Sequence, residues 1–232
     1  MNVTVDEIKG LIQQIGTKGY RDGSSTKPGF VYHSIPFDGF EDIRIHKNGH
    51  CAKEYDLIKK VLENKNIQPD SVLDIGSNIG FFTFNFNRDF DAEVSAVEKD
   101  SFNAEVLSAF NQHYQLTDKI TVHNSDVHQF LQSNEKTFDV GLMLNVHMWV
   151  HKQHGSAATK KIMSELCGKV KHFFFQTAHA ESAGMYIIKE LRTVAQVQEY
   201  LKEVGFTDVE QVFKTTWHGK KNRTLFYAKG KG

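Results

Sequence analysis

From residue 67 onward the apolar positions alternate between two spacings. Short runs in which almost every position is apolar, at 72–75, 94–97, 120–122, 138–144 and 172–176, read as buried strands. Between them apolar residues recur every three or four positions. That pattern predicts helices over 79–87, 102–114, 126–131, 159–167 and 194–204, the last stopped by Gly205. Two further strand-like runs, 209–215 and 224–228, are separated only by the short connection 217–222. Strands alternating with helices predict an α/β fold: a Rossmann-like, mostly parallel sheet of seven strands with helices on both faces. The closeness of the last two runs requires an antiparallel C-terminal hairpin.

The first 66 residues follow a different plan. Residues 4–15 carry apolar groups at helical intervals, with Thr4 placed as N-cap and Glu7 three positions later. Gly16 and Gly19 end that helix. Residues 20–50 are loop-like in their Gly, Ser, Lys and Pro content, yet carry Phe30, Tyr32, Ile35, Phe37 and Phe40. Such a stretch is expected to pack over something, as a cover on the core or as a substrate lid. Helical spacing returns at 51–64. The expected division is therefore a cover segment, 1–66, and a ligand-binding domain, 67–232.

The organising stretch is 72–82, where a buried strand breaks at Asp74 and Gly76 and apolar residues resume at helical spacing. This junction presents backbone N–H groups and a helix start at the carboxyl end of a strand, where open α/β sheets bind ligands. The turn reads Gly76-Ser77-Asn78-Ile79-Gly80, so Asn78 stands where the dinucleotide fingerprint needs its second glycine. Asp74 would repel a diphosphate, and no Gly-Lys-Ser/Thr follows to make a P-loop. A cationic ligand with an amine suits Asp74, and Glu98 at the next strand end is placed to accept from both hydroxyls of a ribose.

These residues resemble the class I S-adenosylmethionine-dependent methyltransferases. The first motif of that family matches Asp74, Gly76, Asn78 and Gly80, and its acidic residue after strand two matches Glu98. The third-strand position matches Asp126, and the fourth motif falls at 144–149, with Asn145 at the strand end. The resemblance implies that the turn and Asp74 hold the methionine end of S-adenosyl-L-methionine. Glu98 would hold the ribose, Asp126 with the Val127 N–H the adenine edge, and the strand-four end with Asn145 the region of the sulfonium. Asp is also a common helix N-cap, which is the alternative role for Asp126. A weaker similarity, in 74–82, is to FkbM-type and bacterial glycan-modifying methyltransferases, which implies a hydroxyl acceptor.

The strand-four ending narrows the acceptor. No Pro-Pro-Tyr or Pro-Cys follows, and Asn145 stands where the magnesium-dependent catechol enzymes place an Asp, so no metal is expected. His147, His151 and His154 remain. A neutral imidazole near the sulfonium would be a general base for an alcohol, with His147 first and His151 second. Their spacing also suits a shared helical face, but no acidic ligand or cysteine adjoins them. His179 and Glu181 are further candidates for the acceptor pocket.

Composition adds boundaries. The 232 residues carry 28 Lys plus Arg and 28 Asp plus Glu, so the formal net charge is zero and broad nucleic-acid binding is disfavoured. Lys160, Lys161, Lys169, Lys171 and the 220–223 run could still form a basic rim, which makes RNA methylation one alternative. A non-catalytic interaction subunit is the other. Only Cys51 and Cys167 are present, without a CxxC pair, which suits a reducing compartment. No apolar run approaches 18 residues and no leader-like start is present, so a soluble cytoplasmic protein without membrane contact is expected.

Overall fold

In a computed structural model the described residues are 3–14, 30–45, 51–178, 188–217 and 220–232. Helix α1 (Val5–Gln14) opens with the anticipated capping box. The Thr4 N–H donates to Glu7 Oε2 at 2.7 Å, and the Glu7 N–H to Thr4 Oγ1 at 3.3 Å. Two strands of two residues each, β1 (Phe30–Val31) and β2 (Arg44–Ile45), pair in parallel. They are too short to leave a periodic signal in the sequence. Helix α2 (Cys51–Asn64) then leads into the main domain.

There the elements alternate as expected: β3 (Ser71–Ile75), α3 (Phe81–Phe90), β4 (Glu93–Glu98), α4 (Ser101–His113), β5 (Ile120–Asn124) and α5 (Val127–Ser133). They continue with β6 (Phe138–Leu144), α6 (His147–Lys169), β7 (Val170–Ala178), α7 (Val194–Glu203), β8 (Thr207–Trp217) and β9 (Lys220–Lys229). The seven-stranded sheet has the order β5-β4-β3-β6-β7-β9-β8, all parallel except β9, which runs antiparallel to both neighbours. The last two strands thus form the expected hairpin, but the final strand inserts inside the sheet and leaves β8 at the edge.

Alternating strand residues divide the core between the faces. Val72, Val94, Ala96, Val140, Leu142 and Phe174 pack on the side of α1 to α4. Leu73, Ile75, Val97, Met143, Phe173 and Phe175 pack on the side of α5 to α7. The aromatic stretch joins the first of these cores. Phe37 stacks on Tyr114 with ring centroids 3.8 Å apart and meets Phe84 edge-on, while Phe40 packs against Phe110. These side chains bind the segment to α3 and α4 through buried aromatic surface. Residues 15–29 and 46–50, which complete the expected cover, lie outside the described residues, as do His179 and Glu181.

Two helix starts differ from expectation. Helix α3 begins at Phe81 rather than 79, because Asn78 and Gly80 hold positive φ angles of 53° and 97° and no helix can propagate through them. Helix α6 begins at His147 rather than 159, and bends at Gly155 (φ 78°, ψ 173°), so the histidine-bearing turns form a separate first segment. Its charged and polar residues obscure the helical period. A ψ near 180° at positive φ is open only to glycine. A Cβ at Gly155 would meet nothing within 4 Å, so Gly155→Ala isolates backbone strain. It is expected to lower stability by about 1–3 kcal/mol in chemical denaturation; an unchanged midpoint would show that the bend is not needed.

Candidate functional site

Strand β3 pairs with β4 on one side and β6 on the other, so the winding direction of the sheet reverses there. A crevice opens at such a switch point outside the strand ends. The turn after β3 is built into it by its backbone. The Gly76 and Ser77 N–H groups both donate to Val97 O, at 2.8 and 3.2 Å, and the Gly80 N–H donates to Ser77 O at 2.9 Å. Gly76 has φ 73°, and a Cβ there would run into the Val146 side chain at the end of β6. Glycine is therefore required twice at this position, for its conformation and for the close approach of two strand ends.

Asp74 is 3% exposed, and its Oδ2 accepts from Thr83 Oγ1 at 2.7 Å. Burial pushes its carboxyl up to about 6, and the Thr83 hydrogen bond only partly offsets this. Glu98 is also buried. Its Oε2 accepts from the Asn78 N–H and its Oε1 from the Asp100 N–H, both at 2.8 Å. Desolvation raises it to about 7 despite these two donors. Among the described residues no Lys or Arg pairs with either buried carboxyl, so both are poised to respond to a ligand that supplies positive charge or hydroxyl donors.

Asp126 does cap α5: its Oδ1 accepts from the Gln129 N–H at 3.0 Å. Its Oδ2 accepts from Gln153 Nε2 at 3.4 Å, on the first segment of α6. The capping role is thus real, and it leaves the Val127 N–H in the first turn, where helical N–H groups have no intrahelical acceptor. Asp74, Glu98 and Asp126 lie at the carboxyl ends of, or just past, β3, β4 and β5.

On the other side of the switch, Asn145 takes a positive φ of 63°, and its N–H donates to Gln176 O at 2.8 Å. Its Nδ2 donates to Gln176 Oε1, and Gln176 Nε2 donates in turn to Glu54 Oε1 at 3.0 Å. Glu54, on α2, is 7% exposed and Gln176 is fully buried. Ser77 Oγ, Asn78 Oδ1, Asn145 Oδ1 and Thr177 Oγ1 are buried without a hydrogen-bond partner. Each such atom costs about 1–3 kcal/mol. All four lie in the turn after β3, just past β6 or near the end of β7, where a polar ligand would satisfy them. Glu54, Gln176 and Thr177 carry no local motif. Only the pairing of distant elements brings them here.

The two candidate bases differ in setting. His147 is 1% exposed, packs edge-on against Phe175 and Tyr200, and its Nε2 lies 2.8 Å from Tyr200 OH. Burial, with a smaller contribution from His151, pushes its imidazole down to about 3, so it is neutral. Its ring is enclosed between α6, β7 and α7. His151, one turn on, is half-buried. Among the described residues no three His, Cys, Asp or Glu side chains gather as a metal set, and no helix is long and apolar enough to cross a membrane.

No family model matches the sequence, and no curated protein matches it. Solved structures do. The bifunctional kinase-methyltransferase WbdD aligns with a TM-score of 0.69 at 16% identity, over 87% of this chain and 44% of that one. The fold is that of the class I methyltransferases. The N-terminal domain of EvdMO1, crystallised in the presence of S-adenosylhomocysteine (SAH) and D-fucose, aligns with a TM-score of 0.66 at 12% identity. That match covers 86% of this chain and 91% of the domain. This chain therefore spans less than half of WbdD but nearly the whole of the EvdMO1 domain.

Proposed function

We propose that this protein is an S-adenosylmethionine-dependent O-methyltransferase whose acceptor is a hydroxyl of a sugar or a sugar-like small molecule. One observation carries the reading: unpartnered buried polar atoms and two buried carboxyls converge on the switch point of a methyltransferase fold. The turn 76–80 and Asp74 would hold the methionine end, Glu98 the ribose, and Asp126 with the Val127 N–H the adenine edge. Asn145 would border the sulfonium. The cofactor would supply an electrophilic methyl group; the chain's part is to align a hydroxyl with it and to take its proton.

We take His151, half-buried and one turn on from His147, as the base. A base must reach the acceptor, and the enclosure of His147 against Tyr200 suits support of the helix turn that carries His151. A His151→Ala variant is expected to lose about 10²- to 10⁴-fold in turnover while binding SAH as well as the parent. Tyr200→Phe, which removes only the partner of His147, is expected to cost less. Full turnover in His151→Ala would remove it as the base.

The sugar reading draws support from the EvdMO1 domain, which was crystallised with D-fucose. RNA methylation is opposed by the partners of the lysine rim. Lys160 pairs with Glu203, Lys161 with Glu165, Lys169 with Glu135 and Lys171 with Asp139. These pairs offset the charge of that part of the rim, while the side chains of 220–223 lie outside the described residues. The first test is calorimetry with SAH, followed by transfer of labelled methyl to free monosaccharides and nucleotide sugars. Absence of SAH binding at millimolar concentration would overturn the proposal.

A further inference from the structure

The chain Glu54–Gln176–Asn145 has a direction. Gln176 turns its NH2 group to Glu54 and its Oε1 to Asn145, the orientation that an acceptor-only group at position 54 requires. Asn145 must then present its own NH2 to Gln176, and its Oδ1 is turned the other way, buried and without a partner. The Asn145 backbone is pinned by the same residue, through its N–H to Gln176 O. An amide normally exchanges its two ends at little cost. Here Glu54 on α2 sets which end of the Asn145 amide is left without a partner.

Apart from Asn145, the residues assigned to the cofactor lie on the β3–β4–β5 side of the switch. Asn145, with an unpartnered Oδ1, lies on the β6–β7 side, beside Val146, whose side chain a Cβ at Gly76 would meet. Resting on the methyltransferase reading, we propose that Glu54 is a positioning residue. Acting through Gln176, it fixes Asn145 Oδ1 as a hydrogen-bond acceptor at the point of methyl transfer, where it shares the O–H of the incoming hydroxyl with the base that takes its proton. The site then selects an acceptor that carries a proton on the reacting atom. The segment joining α1 to the sheet domain is thereby part of the acceptor site and not only a cover.

Sinefungin tests this without knowledge of the acceptor, because it carries an ammonium group, a strong N–H donor, where the reactive methyl would be. The parent is expected to bind sinefungin more tightly than SAH. In Glu54→Gln the preference should fall about tenfold, with SAH affinity held within about twofold, because a glutamine at 54 lets the amide chain reverse. Asn145→Ala removes the oxygen itself and should lose the preference to the same degree. The exchange variant Glu54→Gln/Gln176→Glu restores an acceptor-only group next to Asn145, and the preference should return. A purely structural role for Glu54 would move SAH and sinefungin affinity together and leave the preference unchanged. A preference unchanged in Asn145→Ala, or not restored by the exchange, overturns the inference. Failure of the parent to bind SAH would instead overturn the methyltransferase reading.

Discussion

Replacing Glu98 with alanine is expected to weaken SAH binding by roughly thirty- to a thousandfold, or about 2–4 kcal/mol. The carboxylate would accept from two ribose hydroxyls, and hydrogen bonds to a charged group are worth roughly 1.5–3 kcal/mol each. It also accepts from the Asn78 and Asp100 N–H groups, so its loss leaves the turn itself without an anchor. The same site predicts a pH dependence. Ribose hydroxyls are held by the ionised form, and burial has raised Glu98 to about 7. Below that pH the free protein must release a proton to bind, so affinity should fall by up to tenfold per unit and level off above about 7. Calorimetry near pH 6.5 in buffers of different ionisation enthalpy should register the released proton in the parent and a smaller release in Glu98→Gln. For the free protein the sign is opposite. Between 4.5 and about 7 the native state keeps a proton that the unfolded chain has lost, so stability declines as pH rises through that window. Binding with no pH dependence would refute the ribose role.

Gly76→Ala should be equally damaging, for a steric reason. The residue sits at φ 73°, where an L side chain costs roughly 1–2 kcal/mol, and the added Cβ runs into the Val146 side chain. The turn must then move away from β6, and its N–H bonds to Val97 O move with it. A loss of SAH affinity of about a hundredfold or more is expected. Two comparisons separate the causes. Gly76→Ala/Val146→Ala removes the collision but keeps the backbone strain, so it should recover part of the affinity. Gly10→Ala, on an exposed position of α1 with nothing within 4 Å, should instead stabilise by roughly 0.5–1 kcal/mol through its helix preference. Wild-type affinity in Gly76→Ala would show that the turn does not shape the site.

Much of the candidate site was legible because the side proposed for the cofactor is built from strand ends, and a strand end is a local event in the sequence. An apolar run that stops at Asp74, Glu98 or just before Asp126 announces both the strand and the carboxylate at its tip. Asn78 in place of a middle glycine was legible for the same reason; its positive φ and its donation to Glu98 give that substitution a geometric role. His147 is the candidate whose setting the sequence could not give. Its position after strand four suggested a group facing the acceptor, but side-chain direction at a helix start depends on what packs against it. Tyr200, 53 positions away, holds the ring on the α7 side.

By itself the sequence determined the alternation of strands and helices, the C-terminal hairpin and the acidic tips on one side of the switch point. Those features depend on periodicity and on neighbours a few residues apart. Tertiary structure alone decided the insertion of β9 between β7 and β8, the bend at Gly155 and the packing of Phe37 and Phe40 on α3 and α4. It also decided the chain from Glu54 through Gln176 to Asn145. Each of these joins residues far apart in sequence, and no local pattern records which distant partner will satisfy a buried polar group.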